Sequence, residues 1–597
     1  MKRHWILFLS SLFFTLIIHA QNSQLALQYF DDGEFDKALP LFEQLYKDQS
    51  YNTTWLTYLA KCHQQLEQYE EAKQLFVKQI EKTKRKLPLL EIELGYNYLL
   101  QDDKVTAKTY FNKAIEYVKE KPEYAGTIGH RFHSYSLLDE AIASYTLGMQ
   151  LNTALNYSYV LATIYGEQGN IEKMFDTLLS YMKSNMNQET RIKGAFAQFI
   201  TEDSSNENNK ILRILLLKRS QNNPDVLWNQ MLSWLFVQQK QYNMAFIQEK
   251  AIYRRNKELS LDRLTDLALS AEEDNENAIA IEIYSFIIEK SSFKGAVLEA
   301  ELAIIDLQIA QKEIPIKDIE EKFNDLLKTY GMIPQTVQLH IDYAHFIAFL
   351  KNEPQLASSH LKKVLKLNLS LHDEAYIKME LADILVYEEH FNEALIYYSQ
   401  IQAKLKNDVM AQNALFKVAQ TSFYKGDFTW AENQLNILKQ STSQLIANDA
   451  LQLKLLISDN SLDDSLQTAL KIYAKADLLA YQKKDNEAIA LLDKIVKNHK
   501  GESIEDEALF KQGKLFEQQG NYEKAITNYE KILAFFNDDI LADDTLFALA
   551  NLYDKQLNNP EKAKEYYEKI IFNHQDSIYF VAARKSYRRL RGDQIGS

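Results

Sequence analysis

Tyr29-Phe30-Asp31-Asp32-Gly33-Glu34-Phe35-Asp36-Lys37-Ala38-Leu39, with Phe42 and Leu45 behind it, decides how this chain folds. It reads as the seam of a helix hairpin. An aromatic closes one helix and a glycine four residues on makes the turn. A second aromatic follows after two residues, an alanine after three more, and a Phe or Tyr after another four. Asp36 stands where a side chain caps the second helix. Pro40 falls about four residues later, among the first backbone N–H groups of a helix, which have no internal partner, so it removes little.

The same phrase recurs along the chain. Leu59-Ala60, Tyr69, Ala72 and Phe76 repeat it, then Leu94-Gly95, Tyr98, Ala107 and Phe111, then Ala141 and Tyr145, then Leu161-Ala162, Tyr165, Gly169 and Met174. The key small or apolar position steps through 38, 72, 107, 141 and 174, with gaps of 34, 35, 34 and 33. A second block carries Leu381-Ala382, Phe391, Ala394 and Tyr398; Val418-Ala419, Gly426, Ala431 and Leu435; Ala476, Ala488 and Leu492. Gly513, Gly520, Tyr522, Ala525 and Tyr529 follow, then Leu549-Ala550, Ala563 and Tyr567. Gaps of 37 and 38 there add residues to an inter-repeat loop or a helix. A small residue on each first helix lets the second approach, and the aromatics fill the wedge between a repeat and its successor. No helix pair buries its apolar face alone, so such units must stack.

Between the blocks the pattern decays. Residues 185–225 are polar and Asn-rich and read as a joint or an irregular helix pair. Ala245 and Ala278 mark degenerate repeats, and 440–473 reads as an atypical helix pair turning at Asp459-Asn460-Ser461. The expected divisions are a signal peptide at 1–20, a repeat block at 21–183, degenerate helical repeats at 184–335, and a second repeat block with a capping helix at 336–597.

At these positions the chain resembles the tetratricopeptide-repeat (TPR) family. The resemblance implies an all-α, right-handed superhelical solenoid of helix hairpins, about 13 repeats with some degenerate. It also implies protein binding on the concave surface lined by first helices. The phrase Ala508-Leu509-Phe510 … Gly520-Asn521-Tyr522-Glu523-Lys524-Ala525 resembles the TPR portions of exported bacterial cell-envelope scaffold proteins as well.

Composition agrees with stacked helices. Glycine (16) and proline (8) make 24 of 597 residues, about 4%, where an average chain carries about 12%. A net charge of −14 without a long basic stripe argues against nucleic acid, and 46% hydrophobic residues argue against disorder. Lys2 and Arg3 precede a largely apolar run of 14 from Trp5 to Ile18, and His19-Ala20 precede polar Gln21-Asn22-Ser23. That run is short for a span of about 20 residues but right for a signal peptide, cleaved after Ala20; the other reading is an uncleaved anchor. The lone Cys62 makes no intrachain disulfide and reads as a free buried thiol.

Counted back from the key alanines, the groove carries Leu27 and Phe30, then Lys61 and Gln64, then Ile92, Tyr96 and Leu99, then Tyr159 and Thr163. The family's clamp for a C-terminal carboxylate needs Lys and Asn at the first groove sites. Ser23 and Leu27 stand there, so that mode is not expected. Arg584, Lys585, Arg588, Arg589 and Arg591 form a basic C-terminal patch. It reads as a solvated capping helix whose cations suit the helix dipole, or as a dock for an acidic partner or anionic lipid, hence peripheral membrane association. Asp538, Asp539, Asp543 and Asp544 lack the glycine and ligand rhythm of a calcium loop and read as helix-start residues. No catalytic or phosphate-binding motif occurs. His130 and His133, close in sequence, have no third ligand, so neither metal, cofactor nor small-molecule substrate is expected. The sequence therefore predicts a non-catalytic scaffold or adaptor for cell-envelope proteins, exported to the periplasm and associated with the inner face of the outer membrane. The alternatives are a regulatory subunit or sensor arm, or an enzyme with a scattered site.

Overall fold

The computed structural model describes residues 22–83, 85–255, 261–312, 314–438, 443–461 and 467–593. The predicted signal peptide at 1–20 and its cleavage point lie outside them. Among the described residues every regular element is a helix, so the fold is all-α. The helices pair in sequence order into stacked hairpins, as the solenoid reading requires.

One frame builds the regular hairpins. A small residue sits on the first helix, a left-handed residue closes the turn seven positions later, and a large apolar side chain sits sixteen positions after the small one. Ala60, Glu67 and Phe76 follow this frame, as do Gly95, Asp102 and Phe111; Gly129, Ser136 and Tyr145; Ala382, Glu389 and Tyr398; and Gly513, Gly520 and Tyr529. Tight hairpin geometry therefore fixes the left-handed turn whatever residue occupies it. Non-glycine residues accept it at about 1 kcal/mol each.

Within a hairpin the ring lies over the small residue. A Cβ on Gly95 would stand 2.5 Å from Phe111 Cε1 and one on Gly129 2.7 Å from Tyr145 Cζ, while one on Gly513 would overlap the ring of Tyr529. The rings also bridge successive hairpins, as predicted: Phe42 stacks on Tyr58 at 5.1 Å, and Phe111 meets Phe132 edge-on at 5.5 Å. The expectation of a wedge only between repeats was thus too narrow, because the same rings lock each hairpin internally.

In two hairpins the frame is one residue longer. Ala344 and Leu361 are 17 apart, as are Ala550 and Tyr567, and the turn residues Asn352 and Asn558 come eight after the small residue. In both, the first helix contains a π-helical turn, Phe346–Leu350 and Leu552–Gln556. The wider i→i+5 turn absorbs the extra residue, and all four packing residues remain fully buried. The 38-residue gap from Ala525 to Ala563 includes that extra residue, but the 37-residue gaps arise differently. Leu371–Tyr387 and Val409–Lys425 are 17 residues long, against 13 for Thr53–Gln65 and 10 for Ala125–Ser134, so the first helices are longer.

The Asn-rich joint folds as the irregular pair Glu189–Ala197 and Glu207–Asn222. Its polarity has a local purpose. Buried Asn209 donates through Nδ2 to the carbonyls of Thr201 and Asp203, both at 2.7 Å, and accepts from Thr201 N at 3.1 Å. The connection between the helices is satisfied by a side chain instead of a partner strand or helix. At 440–473 the expected helix pair is a single extra helix, Gln444–Asp459, which ends at Asn460 as the turn signal implied. The next helix, Thr468–Tyr481, already belongs to the following hairpin. It also reaches back past the extra helix. Tyr481 OH donates to the Asp383 carbonyl at 3.2 Å, Gln482 Nε2 to the Tyr387 carbonyl at 2.9 Å, and Lys475 pairs with Glu389 at 2.8 Å.

Contacts divide the chain into two units, residues 1–259 and 260–597. The dividing point lies inside the segment whose repeat pattern is degenerate. Each unit has cores of its own, around Phe42, Phe76 and Phe111 in the first and around Tyr398, Phe423 and Tyr529 in the second. No described helix is long and apolar enough to cross a membrane.

Candidate functional site

In the first unit the helices Thr53–Gln65, Pro88–Leu99 and Ala125–Ser134 are the first helices of successive hairpins. Lys61 and Tyr96 each stand one place after the small residue of their helix, and Arg131 two places after Gly129. Their side chains converge on Tyr135. The Tyr96 ring stacks on the Tyr135 ring at 4.0 Å, and Lys61 Nζ stands 5.2 Å from its centre. Beneath them the Glu93 carboxylate is fully buried, accepting from Tyr135 OH at 2.6 Å and forming an ion pair with Arg131.

Electrostatics at this cluster follow from burial. The Lys61 ammonium is held below its usual range by burial, with the Arg131 charge acting in the same direction and Glu93 opposing both. The Tyr135 phenol is pushed up by burial and then by the Glu93 charge. A half-buried ammonium, two stacked rings and a guanidinium on one face can grip an extended chain segment through cation–π, stacking and charge-assisted hydrogen bonds.

Not every predicted groove residue reaches this face. Lys61 and Tyr96 are partly exposed on it. Leu27 and Phe30 are half-buried, and the Phe30 ring is engaged by Phe35, Phe42 and Tyr58 at 5.3, 6.2 and 5.1 Å. Leu99 is half-buried against the core. Tyr159 lies under the Arg191 guanidinium at 3.8 Å and borders a groove of about 580 Å³ shared with Met174, Leu178 and Phe199. Thr163 is exposed and donates to the Tyr159 carbonyl at 3.1 Å. Ile92 and Gln64 correct the prediction. Ile92 is a fully buried core residue, and buried Gln64 donates to Asn97 Oδ1 at 3.2 Å. One residue turns a helix by about 100°, so counting back from the second helix put Ile92 where its neighbour Glu93 belongs.

Glu93, Arg131 and Tyr135 escaped the sequence reading. The frame aligns Lys61 and Tyr96 with His130, so the repeat pattern does not single out Arg131.

The C-terminal helix Phe580–Arg591 presents Arg584 and Lys585 to solvent. Arg589 pairs with Asp554, and both Arg588 and Arg591 with Asp593. Asp543 and Asp544 lie in the first turn of Ala542–Asn551, where Asp544 also accepts from Tyr579 OH at 2.7 Å. Cys62 is buried, and burial pushes its thiol up to about 12. His340 Nδ1 and His360 Nε2 stand 2.9 Å apart, a histidine pair that sequence proximity did not reveal. Among the described residues no three His, Cys, Asp or Glu side chains group to hold a metal.

In the second unit the corresponding first-helix layer holds Asp306, Asp342, His345 and Glu380. Burial, and then the Asp306 charge, push the Asp342 carboxyl up to about 7, while its hydrogen bond from Gln338 at 2.7 Å pulls the other way. The unfolded carboxyl titrates near 3.9. The folded chain therefore keeps a proton that the unfolded chain releases, and stability falls as pH rises from about 4 to about 7. Asp342→Asn is expected to raise stability near pH 8 by on the order of 1–3 kcal/mol and to change it little near pH 4. Thermal unfolding of the variant and the parent chain at both pH values measures the difference.

Comparison with known proteins adds the following. Tetratricopeptide-repeat models match residues 29–85, 473–540 and 543–571. No curated protein matches the chain. Among solved structures, the complex of Naa15 and Naa10 bound to HypK-THB is similar at 13% identity, over 96% of this chain and 97% of that one, with a TM-score of 0.30. The APC/C hetero-tetramer Cut9–Hcn1 is similar at 12% identity, over 96% of each chain, with a TM-score of 0.24.

Proposed function

We propose that this chain, with tetratricopeptide repeats at both ends of its described length, is a non-catalytic adaptor that holds segments of other proteins against its first-helix faces. The repeats support a protein–protein interaction scaffold. The observation that carries the reading to particular residues is the ladder Lys61, Tyr96 and Arg131, with Tyr135 and buried Glu93 behind it. Successive hairpins present one side chain each to this face, so a bound segment gains several modest contacts that act together. The leader at 1–20 and the envelope-like C-terminal phrasing support export to the bacterial periplasm, with cell-envelope proteins as partners.

Photo-crosslinking in intact cells followed by mass spectrometry tests this reading, on mature protein that begins at Gln21. Lys61→Glu combined with Tyr96→Glu is expected to reduce recovery of the main partners by about tenfold or more, as loss of an aromatic and cationic hot spot does. Helical circular dichroism should be unaltered, because both side chains are partly exposed. An unchanged set of partners would remove this face as the binding surface.

A further inference from the structure

The extra helix Gln444–Asp459 has two faces. Ala450 and Ile457 are buried against the second unit's core, with Ile446 and Leu453 beside them. On the other side Leu445 is 77% exposed and Leu451 47%. That side borders a cleft of about 1170 Å³, whose far walls are two inter-repeat connections, 536–541 and 574–579. There Ile540 is 61% exposed and Ile578 79%. A single exposed leucine needs no explanation, but four large apolar side chains around one opening form a patch of the kind that marks contact with another molecule.

The rim of the cleft is mostly acidic. Asp449 on the helix, Asp538, Asp539 and Asp543 around the first connection, and Asp576 on the second all line it. Among the described residues no ion pair engages any of these five, and Lys569 in the same lining is held by Glu565 at 2.8 Å. Other carboxylates in this unit are matched, among them Glu389 with Lys475 and Asp477 with Lys511. An unmatched carboxylate rim around apolar walls attracts cations and rewards an apolar insertion.

We infer that this cleft docks a basic amphipathic segment of a partner protein. Its apolar anchors seat between Leu445 and Leu451 on one side and Ile540 and Ile578 on the other, and its Lys or Arg side chains meet the aspartates. Charge argues for a partner over a second copy. The chain carries −14 overall, and its own basic helix commits Arg588, Arg589 and Arg591 to Asp593 and Asp554. The cleft lies in the second unit and uses inter-repeat connections, so it stands or falls separately from the first-helix ladder of the first unit.

Fluorescence anisotropy of a labelled synthetic leucine–lysine amphipathic peptide, added to the full mature chain, tests the inference. Asp449→Asn, Asp538→Asn and Asp576→Asn together neutralise one exposed carboxylate on each wall. Asp31→Asn, Asp32→Asn and Asp36→Asn remove the same charge from exposed sites in the first unit. The parent chain and the first-unit variant should bind the peptide alike. The cleft variant should bind at least about tenfold more weakly, with the difference shrinking in high salt, and a leucine–glutamate peptide should not bind. Equal binding by both variants, or no binding by the parent chain, overturns the inference. So does sedimentation showing self-association that only the cleft variant loses, since the occupant is then a second copy.

Discussion

Gly513→Val is expected to destabilise the second unit by about 3 kcal/mol, the upper range for overpacking a close helix contact. Any Cβ at 513 overlaps the Tyr529 ring. That ring cannot swing aside, because Tyr529 is fully buried and its hydroxyl donates to Glu517 Oε1 at 2.5 Å. Either the helices Ile504–Gln518 and Tyr522–Phe535 separate, or a tyrosine leaves the core with its hydrogen bond broken. Gly520 in the same hairpin supplies the contrast. A Cβ there meets nothing within 4 Å, and only its φ of +72° opposes substitution, so Gly520→Ala should cost about 1 kcal/mol. Denaturant unfolding of both variants ranks them. A Gly513→Val chain as stable as its parent would mean that small-against-ring packing does not hold the hairpin closed.

Arg131→Ala should cost about 2–4 kcal/mol, because it strands a buried carboxylate. Glu93 is fully buried, and without the guanidinium its remaining side-chain partner is the Tyr135 hydroxyl. The pair is not thereby a large source of stability. Converting both together, Glu93→Leu with Arg131→Met, should cost far less than Arg131→Ala alone, since no charge is then left in the core. A double-mutant cycle on thermal unfolding separates the two effects. Equal losses in the single and double variants would show that Arg131 acts through its packing and not through its charge.

The hairpin frame was legible because it rests on residue types that sterics restrict. Gly95, Ala162 and Gly513 mark the crossings, and Phe111 and Tyr529 mark the rings above them. The turns were legible only in part. Glu67, Ser136 and Lys240 adopt left-handed backbone that their side chains do not advertise. Lys61 and Tyr96 were found, whereas Ile92 was mistaken for its neighbour Glu93, because a count started on a second helix carries an error of one residue across the turn. Glu93 and Arg131 are 38 residues apart and meet only once the hairpins stack, so no local pattern encodes their pairing. The cleft beside Gln444–Asp459 lay hidden for a related reason. Its helix breaks the period, and its far walls are connections that a repeat pattern treats as filler.

The bonds from Lys475, Tyr481 and Gln482 back to Glu389, Asp383 and Tyr387 alter the mechanics of the second unit. A row of hairpins touching only nearest neighbours stretches like a spring, and each coil can open independently. Here a tether joins points separated by 86 to 98 residues of chain, so load applied at one side of the enclosed hairpins passes to the other without travelling through them. Those coils must let go together or not at all, which makes this portion a stiff collar for whatever is carried on either side of it.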